Sequence, residues 1–254
     1  ESGTGTEADP YIIMTPQQLA LLAKEVNNDE QIGYNYYQLG SDIDLAGKEW
    51  ACIGNDVTHH FNGSFDGNNY NVTNIKINNN NDFSGLFGNI LGTDTQRAVV
   101  KNLTLTGNVS VNAIKDSTVG GVVGYAKYAT IERVNNAANV QVFVETDSSG
   151  GGIVAKGEEI TITRCSNTGT IRGAITSASG KLSGGGGIAG YVINSDINNS
   201  YNSGDAKGYC NNSEGIIAAV VGQASGSNLS FLINYGSVYG ELGTTGTGIV
   251  GGII

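Results

Sequence analysis

The chain is poor in the residues that end, cross-link or charge a structure. Its 254 residues include only 2 Pro, 1 Met, 1 Trp and 3 Cys. With so little proline and no strict three-residue period, the 39 Gly cannot be building a collagen-type triple helix. The cysteines, Cys52, Cys165 and Cys210, are odd in number and lack CxxC spacing. That points away from a disulfide framework and from a zinc site, and leaves a single pair open. His59 and His60 are the only histidines, so no HExxH peptidase motif can be assembled. Cations are scarce as well, with 13 Lys and Arg against 23 Asp and Glu for a net charge of −10. Such a surface repels a phosphate backbone, which argues against nucleic acid as a partner. No apolar run approaches the roughly 18 residues of a membrane-spanning helix. The chain starts at Glu1 without an initiator Met or a signal peptide, which reads as a mature or trimmed start.

What is present is glycine, at about twice its ordinary share, among short patterned runs of Ile, Val and Leu. A hydrophobic content of 39% speaks for a folded core rather than disorder. Aligned with itself, the chain shows a GxxG-like element recurring at Gly85-Leu86-Phe87-Gly88, Gly121-Val122-Val123-Gly124, Gly152-Ile153-Val154-Ala155, Gly187-Ile188-Ala189-Gly190, Ala219-Val220-Val221-Gly222 and Gly248-Ile249-Val250-Gly251. After four of these anchors a large aliphatic follows at a fixed distance (Ile131, Ile162, Ile197, Leu229), then an Asn (Asn136, Asn167, Asn202, Asn234), then a core residue (Val140, Ile171, Ala206, Val238). The first repeat joins through Val100, Leu103 and Val109 if five residues are inserted after Gly88. Other length variation falls before the next anchor. A fixed path with insertions confined to loops is the behaviour of a solenoid, in which each coil touches only its neighbours.

The alternation of apolar, Asn, Gly and apolar residues has the period of a strand. Stacked in parallel about 4.8 Å apart, the Asn residues would form a ladder of amides. Gly107, Gly169, Gly204 and Gly236 would mark bends with no room for a Cβ. Cys165 shares a position with Val134 and Leu232 and reads as a small core residue. The sequons at Asn71 and Asn102 read as part of the stacking pattern rather than as glycosylation sites.

Near the start, Thr15-Pro16-Gln17-Gln18 supplies an N-cap, a first-turn proline and a capping-box Gln. A helix follows, with Leu19, Leu22, Ala23 and Val26 on one face and Asn27-Asn28-Asp29 at its end. It would cover the open first coil. Tyr36–Leu39 and Asp42–Leu45 read as strands, and Phe61–Asn68 as strand, turn, strand with Asp66-Gly67 at the bend.

The run from Gly3 to Ile13, the helix at Gln18-Leu19-Ala20, Asp42-Ile43-Asp44-Leu45, Trp50 with Ile53-Gly54, Phe65-Asp66-Gly67-Asn68 and Gly85-Leu86-Phe87-Gly88 together resemble the leader and repeats of GLUG-motif surface proteins. The resemblance covers nearly the whole chain, with Ala155 and Ala219 departing from the glycine pattern. It implies a parallel β-helix borne on large exported proteins of gut and host-associated bacteria. Some of these are adhesins and others contain the region as a non-catalytic part of IgA-cleaving metallopeptidases. It implies no chemistry.

The expected fold is therefore all-β, a right-handed parallel β-helix with a short N-terminal capping helix. Residues 1–254 form a single domain divided into a leader and helix (1–35), one or two first coils (36–83), and five GLUG-like repeats with the start of a sixth (84–254). Asp42 and Asp44, two residues apart on a strand, have the look of paired catalytic carboxylates. No third acid or base accompanies them, so capping turns or bonding backbone is the expected role. No stacked cluster of bases and acids of the lyase kind is present, His59 and His60 read as loop residues, and no catalytic, metal or cofactor residue is assigned.

Two outward columns are more suggestive: Gln141, Arg172, Lys207 and Tyr239, and beside them Phe143, Ala174, Tyr209 and Glu241. Stacked cations repel unless an anion or nearby carboxylates such as Asp205 and Glu241 offset them. Rings beside donors suit a sugar or peptide groove. Phe143, Arg172, Lys207, Tyr209 and Tyr239 are the candidate ligand-binding residues.

These features suggest a non-enzymatic adhesion or glycan- or polymer-interaction module of a bacterial protein, secreted or held at the outer membrane or cell wall. Its partner would be a glycan or a host or cell-surface polymer. A β-helix lyase or glycosidase and a passive spacer are the alternatives. Since Gly248–Ile254 opens a repeat without completing it, the chain is expected to continue past Ile254, and its C-terminal end to pack on further repeats, self-associate or fray.

Overall fold

The structure, a computed structural model, describes residues 2–28, 34–79, 82–113, 117–144, 148–175, 181–210, 214–243 and 247–253. It is a parallel β-solenoid of about six turns with one short helix, as the repeat pattern predicts. Among the described residues its strands form three sheets of fifteen, six and five strands. Strands pair in parallel within all three.

Each coil crosses the sheets in the same order. A strand of the six-stranded sheet, such as Ser117–Gly120, runs into the GxxG anchor. A strand of the five-stranded sheet leaves it, as Val123–Lys127 does, and the chain then enters the wide sheet through Ala129–Asn136 and Asn139–Val144. The register agrees with the internal alignment. Ile131 pairs with Val100 on one side and Ile162 on the other, and Ile197 and Leu229 continue the row. Val109, Val140, Ile171, Ala206 and Val238 form a second row. Ile131, Ile162 and Ile197 are completely buried, each contributing about 1.5–3 kcal/mol of hydrophobic stabilisation.

The Asn column is a continuous ladder, buried at Asn136, Asn167 and Asn202 and half-buried at Asn234. Asn136 donates to Asn167 Oδ1 at 2.8 Å, Asn167 to Asn202 at 2.8 Å, and Asn202 to Asn234 at 3.0 Å. Each Nδ2 also donates to the carbonyl two residues on: Ala138, Gly169, Gly204 or Gly236. The amide therefore closes a turn in its own coil while bonding to the next. That explains a departure from the expected unbroken strand, because the wide sheet bends after Asn136, Asn167, Asn202 and Asn234, whereas Ala98–Ala113, with Leu105 at that position, runs through. The glycine after the bend is fixed by close approach. A Cβ on Gly204 would lie 1.9 Å from the Gly169 carbonyl oxygen.

Two other corners of each coil are left-handed largely without glycine, Gly226 being the exception. Tyr128, Glu159 and Asn194, and five residues later Arg133, Arg164, Asn199 and Phe231, adopt φ between 47° and 55°. Left-handed non-glycine residues are strained by about 1–3 kcal/mol each. They persist here because the paired strands on both sides dictate the same path.

The helix Pro16–Val26 has its capping box, with Gln18 N–H donating to Thr15 Oγ1 and Gln18 Oε1 accepting from Thr15 N–H. It buries Leu19, Leu22, Ala23 and Val26. Asn27 ends it and ties it to the first coils, donating to the Cys52 carbonyl and accepting from Gly54 N–H, both at 2.9 Å. The turn expected at Asp66-Gly67 lies two residues later, at Asn68 and Asn69, whose φ values are 50° and 65°. Asp66 instead closes its strand and accepts from Asn68 N–H at 2.8 Å.

Candidate functional site

Strand pairing places the two outward columns where the repeat spacing puts them. Gln141, Arg172, Lys207 and Tyr239 are successive Cα partners, as are Phe143, Ala174, Tyr209 and Glu241. Between the columns Val142, Gly173, Gly208 and Gly240 share one position, and the Val142 side chain is buried. Ala174 is the only short side chain in its column and is 7% exposed. Phe143 and Tyr209, one rung away on either side, stand about 9–10 Å apart along the axis, with the short Ala174 between them.

The two cations of the first column are held differently. Lys207 Nζ lies 3.1 Å from Asp205 Oδ2 and 5.7 Å from the centre of the Tyr239 ring. The bond from Lys207, with that from Ser237 N–H, keeps the Asp205 carboxyl below its ordinary pKa. Arg172 sits with its guanidinium 5.5 Å from the Phe143 ring centre. Among the described residues it makes no ion pair. An exposed cation over a ring gains about 0.5–1 kcal/mol, which favours one orientation without neutralising the charge. The structure thus brings Phe143, Arg172, Lys207, Tyr209 and Tyr239 onto one face. Lys207 is offset by a carboxylate, as expected, and Arg172 is not.

The alternative sites resolve into local bonding. Asp42 Oδ1 accepts from the backbone and side-chain nitrogens of Asn71 at 2.8 and 3.0 Å. Asp44 Oδ1 accepts from Asn74 Nδ2 and Ala46 N–H, and both bonds lower its pKa. Both acids therefore hold turns between coils. His59 bonds Asp56 at 2.9 Å within a loop.

A second aromatic and basic face went unnoticed in the repeat pattern. On the five-stranded sheet Asn89, Tyr125, Lys156, Tyr191 and Gln223 form one column, and Leu91, Lys127, Glu158, Ile193 and Ser225 the next. The signal was available one and three residues after each anchor. Here the charges are satisfied internally, since Lys127 and Lys156 both lie 3.4 Å from Glu158. Burial raises the Glu158 pKa, but the two lysines outweigh it and hold the carboxyl below its usual range. Burial and this carboxylate push the neighbouring Tyr125 hydroxyl well up.

No protein-family model matches the chain. It is 34% identical over 140 residues to a protein named as a Gly-rich membrane protein from Evansella cellulosilytica, an overlap covering 52% of this chain and 15% of that protein. It is also 34% identical over 134 residues to halomucin of Haloquadratum walsbyi, covering 48% of this chain and 1% of that protein. The chain thus spans only a small part of the length of either relative. Among solved structures it resembles a protein from Bacteroides ovatus named as an immunoglobulin A1 protease. The TM-score is 0.51 at 17% identity, over 96% of this chain and 86% of the other. At that identity the likeness is one of fold.

Proposed function

We propose that the chain is a non-enzymatic interaction module of an exported bacterial surface protein, and that it binds acidic glycans or other carboxylated polymers on the face bearing Arg172 and Lys207. The observation that carries this reading is Arg172, which makes no ion pair among the described residues. In a chain of net charge −10, a guanidinium stacked on Phe143, one rung from a second cation, is a place for an anion supplied from outside. Phe143 and Tyr209, spaced by Ala174 in the neighbouring column, offer ring faces beside it. The names of the relatives, a membrane protein and halomucin, agree with a surface location.

The test is titration calorimetry of the chain with polygalacturonate, using dextran as the uncharged control. Binding should be weak, weaken further with added salt, and vanish in an Arg172→Ala/Lys207→Ala double variant. Equal binding by parent and variant discards the site. A parent that binds no acidic polymer supports the spacer reading instead.

A further inference from the structure

A cleft of about 210 Å³ lies near the other end of the solenoid, between the N-terminal leader and the insertion in the first repeat. Its floor is the outer face of three successive rungs. Tyr36, Ser64 and Val99 pair across them in one column, and Gln38, Asp66 and Lys101 in the next. Glu7, Pro10 and Tyr34 of the leader and Gln96 and Arg97 of the insertion line it as well.

Both walls are fixed in place. The leader is tied down by Tyr36 N–H donating to the Gly5 carbonyl at 3.0 Å. The insertion is strapped across the coils by Arg97, which donates to the Ala129 carbonyl at 2.8 Å and the Glu159 carbonyl at 2.7 Å. A cleft built this way needs little ordering when a ligand arrives.

The side chain of Asn62 borders this cleft. It is 3% exposed, and among the described residues neither its Oδ1 nor its Nδ2 has a hydrogen-bond partner. Buried amides are ordinarily satisfied, and one with both ends unused calls for a partner from outside the chain. The remaining chemistry says what kind. Asp66 and Lys101 pair at 3.5 Å, the Arg97 guanidinium donates to carbonyls, and Glu7 matches it in charge, so the lining as a whole carries no net charge. What is left is a set of amide and hydroxyl groups beside Tyr36 and Tyr34, which suits a neutral polyhydroxylated ring. The volume is below the roughly 300 Å³ at which larger ligand pockets begin, and so fits one ring rather than a chain.

We infer that this cleft binds a single neutral sugar residue, the terminal unit of a glycan, through Gln38, Asn62 and the tyrosine rings. The site is independent of the cationic column, which takes charged polymer at the opposite end.

The experiment is saturation-transfer NMR of the whole chain with the methyl glycosides of glucose, galactose and mannose. The variants are Gln38→Ala, Asn62→Leu and the Arg172→Ala/Lys207→Ala pair. At least one glycoside should bind the parent and the column variant equally, without sensitivity to salt, and bind each cleft variant roughly tenfold more weakly. Failure of all three glycosides to bind the parent overturns the inference, as does binding unchanged in both cleft variants. Loss of binding only in the column variant moves the ligand to the other face and overturns it too. Asn62→Leu should melt no lower than the parent, and a lower melting temperature would show that the amide has a partner within the chain.

Discussion

Asn136 Nδ2 donates to Asn167 Oδ1 at 2.8 Å across one coil of the solenoid, in a place sealed from solvent. Asn167 passes the same bond on to Asn202 and closes its own turn on the Gly169 carbonyl at 2.7 Å. The glycines that begin three of the anchors, Gly121, Gly152 and Gly187, belong to this arrangement, since a Cβ on them would fall 2.7, 2.5 and 2.3 Å from the Cγ of Asn136, Asn167 and Asn202.

Replacing Asn167 by Leu should lower stability by about 1–3 kcal/mol, because it strips Asn202 Oδ1 of its donor and leaves an Asn136 N–H without an acceptor. Denaturant unfolding measures this. A variant as stable as the parent would mean that the ladder bonds are exchanged for water at no loss.

The thiols of Cys52 and Cys165 should be inert in the folded protein. Burial is the leading cause that raises them from an ordinary 9.0, to about 11 for Cys52 and about 12 for Cys165. The side chain of Cys210 lies outside the described residues. At least two of the three cysteines should therefore resist a disulfide reagent near pH 8 and react once the chain is unfolded. The sign of the linked pH effect follows from the same shifts. A thiol kept protonated by folding contributes stability that is complete below 9.0 and is lost as pH rises through the folded values, so unfolding should become easier on the alkaline side. Rapid native labelling of two or more cysteines would contradict the burial.

The last described coil should make the isolated chain self-associate. Thr247–Gly251 pairs with Glu214–Ala218, and Val238–Leu242 with Ala206–Cys210; neither strand has a neighbour on its far side among the described residues. Phe231, Tyr235 and Ile249 are 79%, 73% and 59% exposed there. Open strand edges beside apolar side chains invite pairing. Light scattering should show a mass that rises with concentration. A constant monomer mass, with amides of residues 247–253 as protected from exchange as those of the central coils, would exclude it.

Features that recur from coil to coil with the same residue type were legible in the sequence, and those that occur once or recur only in the backbone were not. The Asn ladder and the aliphatic rows repeat one residue type or character, so alignment of the chain with itself recovered their register, and with it that of the outward columns, whose residues vary. The left-handed corners escaped because stacking dictates their backbone and not their side chain, which is Arg at 133 and 164 but Phe at 231. The turn at Asn68 and Asn69 was misplaced because Asp66-Gly67 has the stronger local turn signal. Asp66 instead uses its carboxylate between coils, accepting from Asn102 Nδ2 at 2.8 Å. The cleft around Asn62 was invisible because its walls, the leader and the insertion, have no counterpart in other coils.

The ladder also determines how the molecule would answer a mechanical load. Strands run across the long axis, so the bonds that join coils point along it, and tension between the ends pulls on one coil boundary at a time. Asn136, Asn167, Asn202 and Asn234 are separated by 31, 35 and 32 residues. Each boundary that gives way would release a similar length of chain, roughly 100 Å when fully extended. A stretched solenoid of this kind would lengthen in even steps rather than fail all at once, acting as an extensible tether.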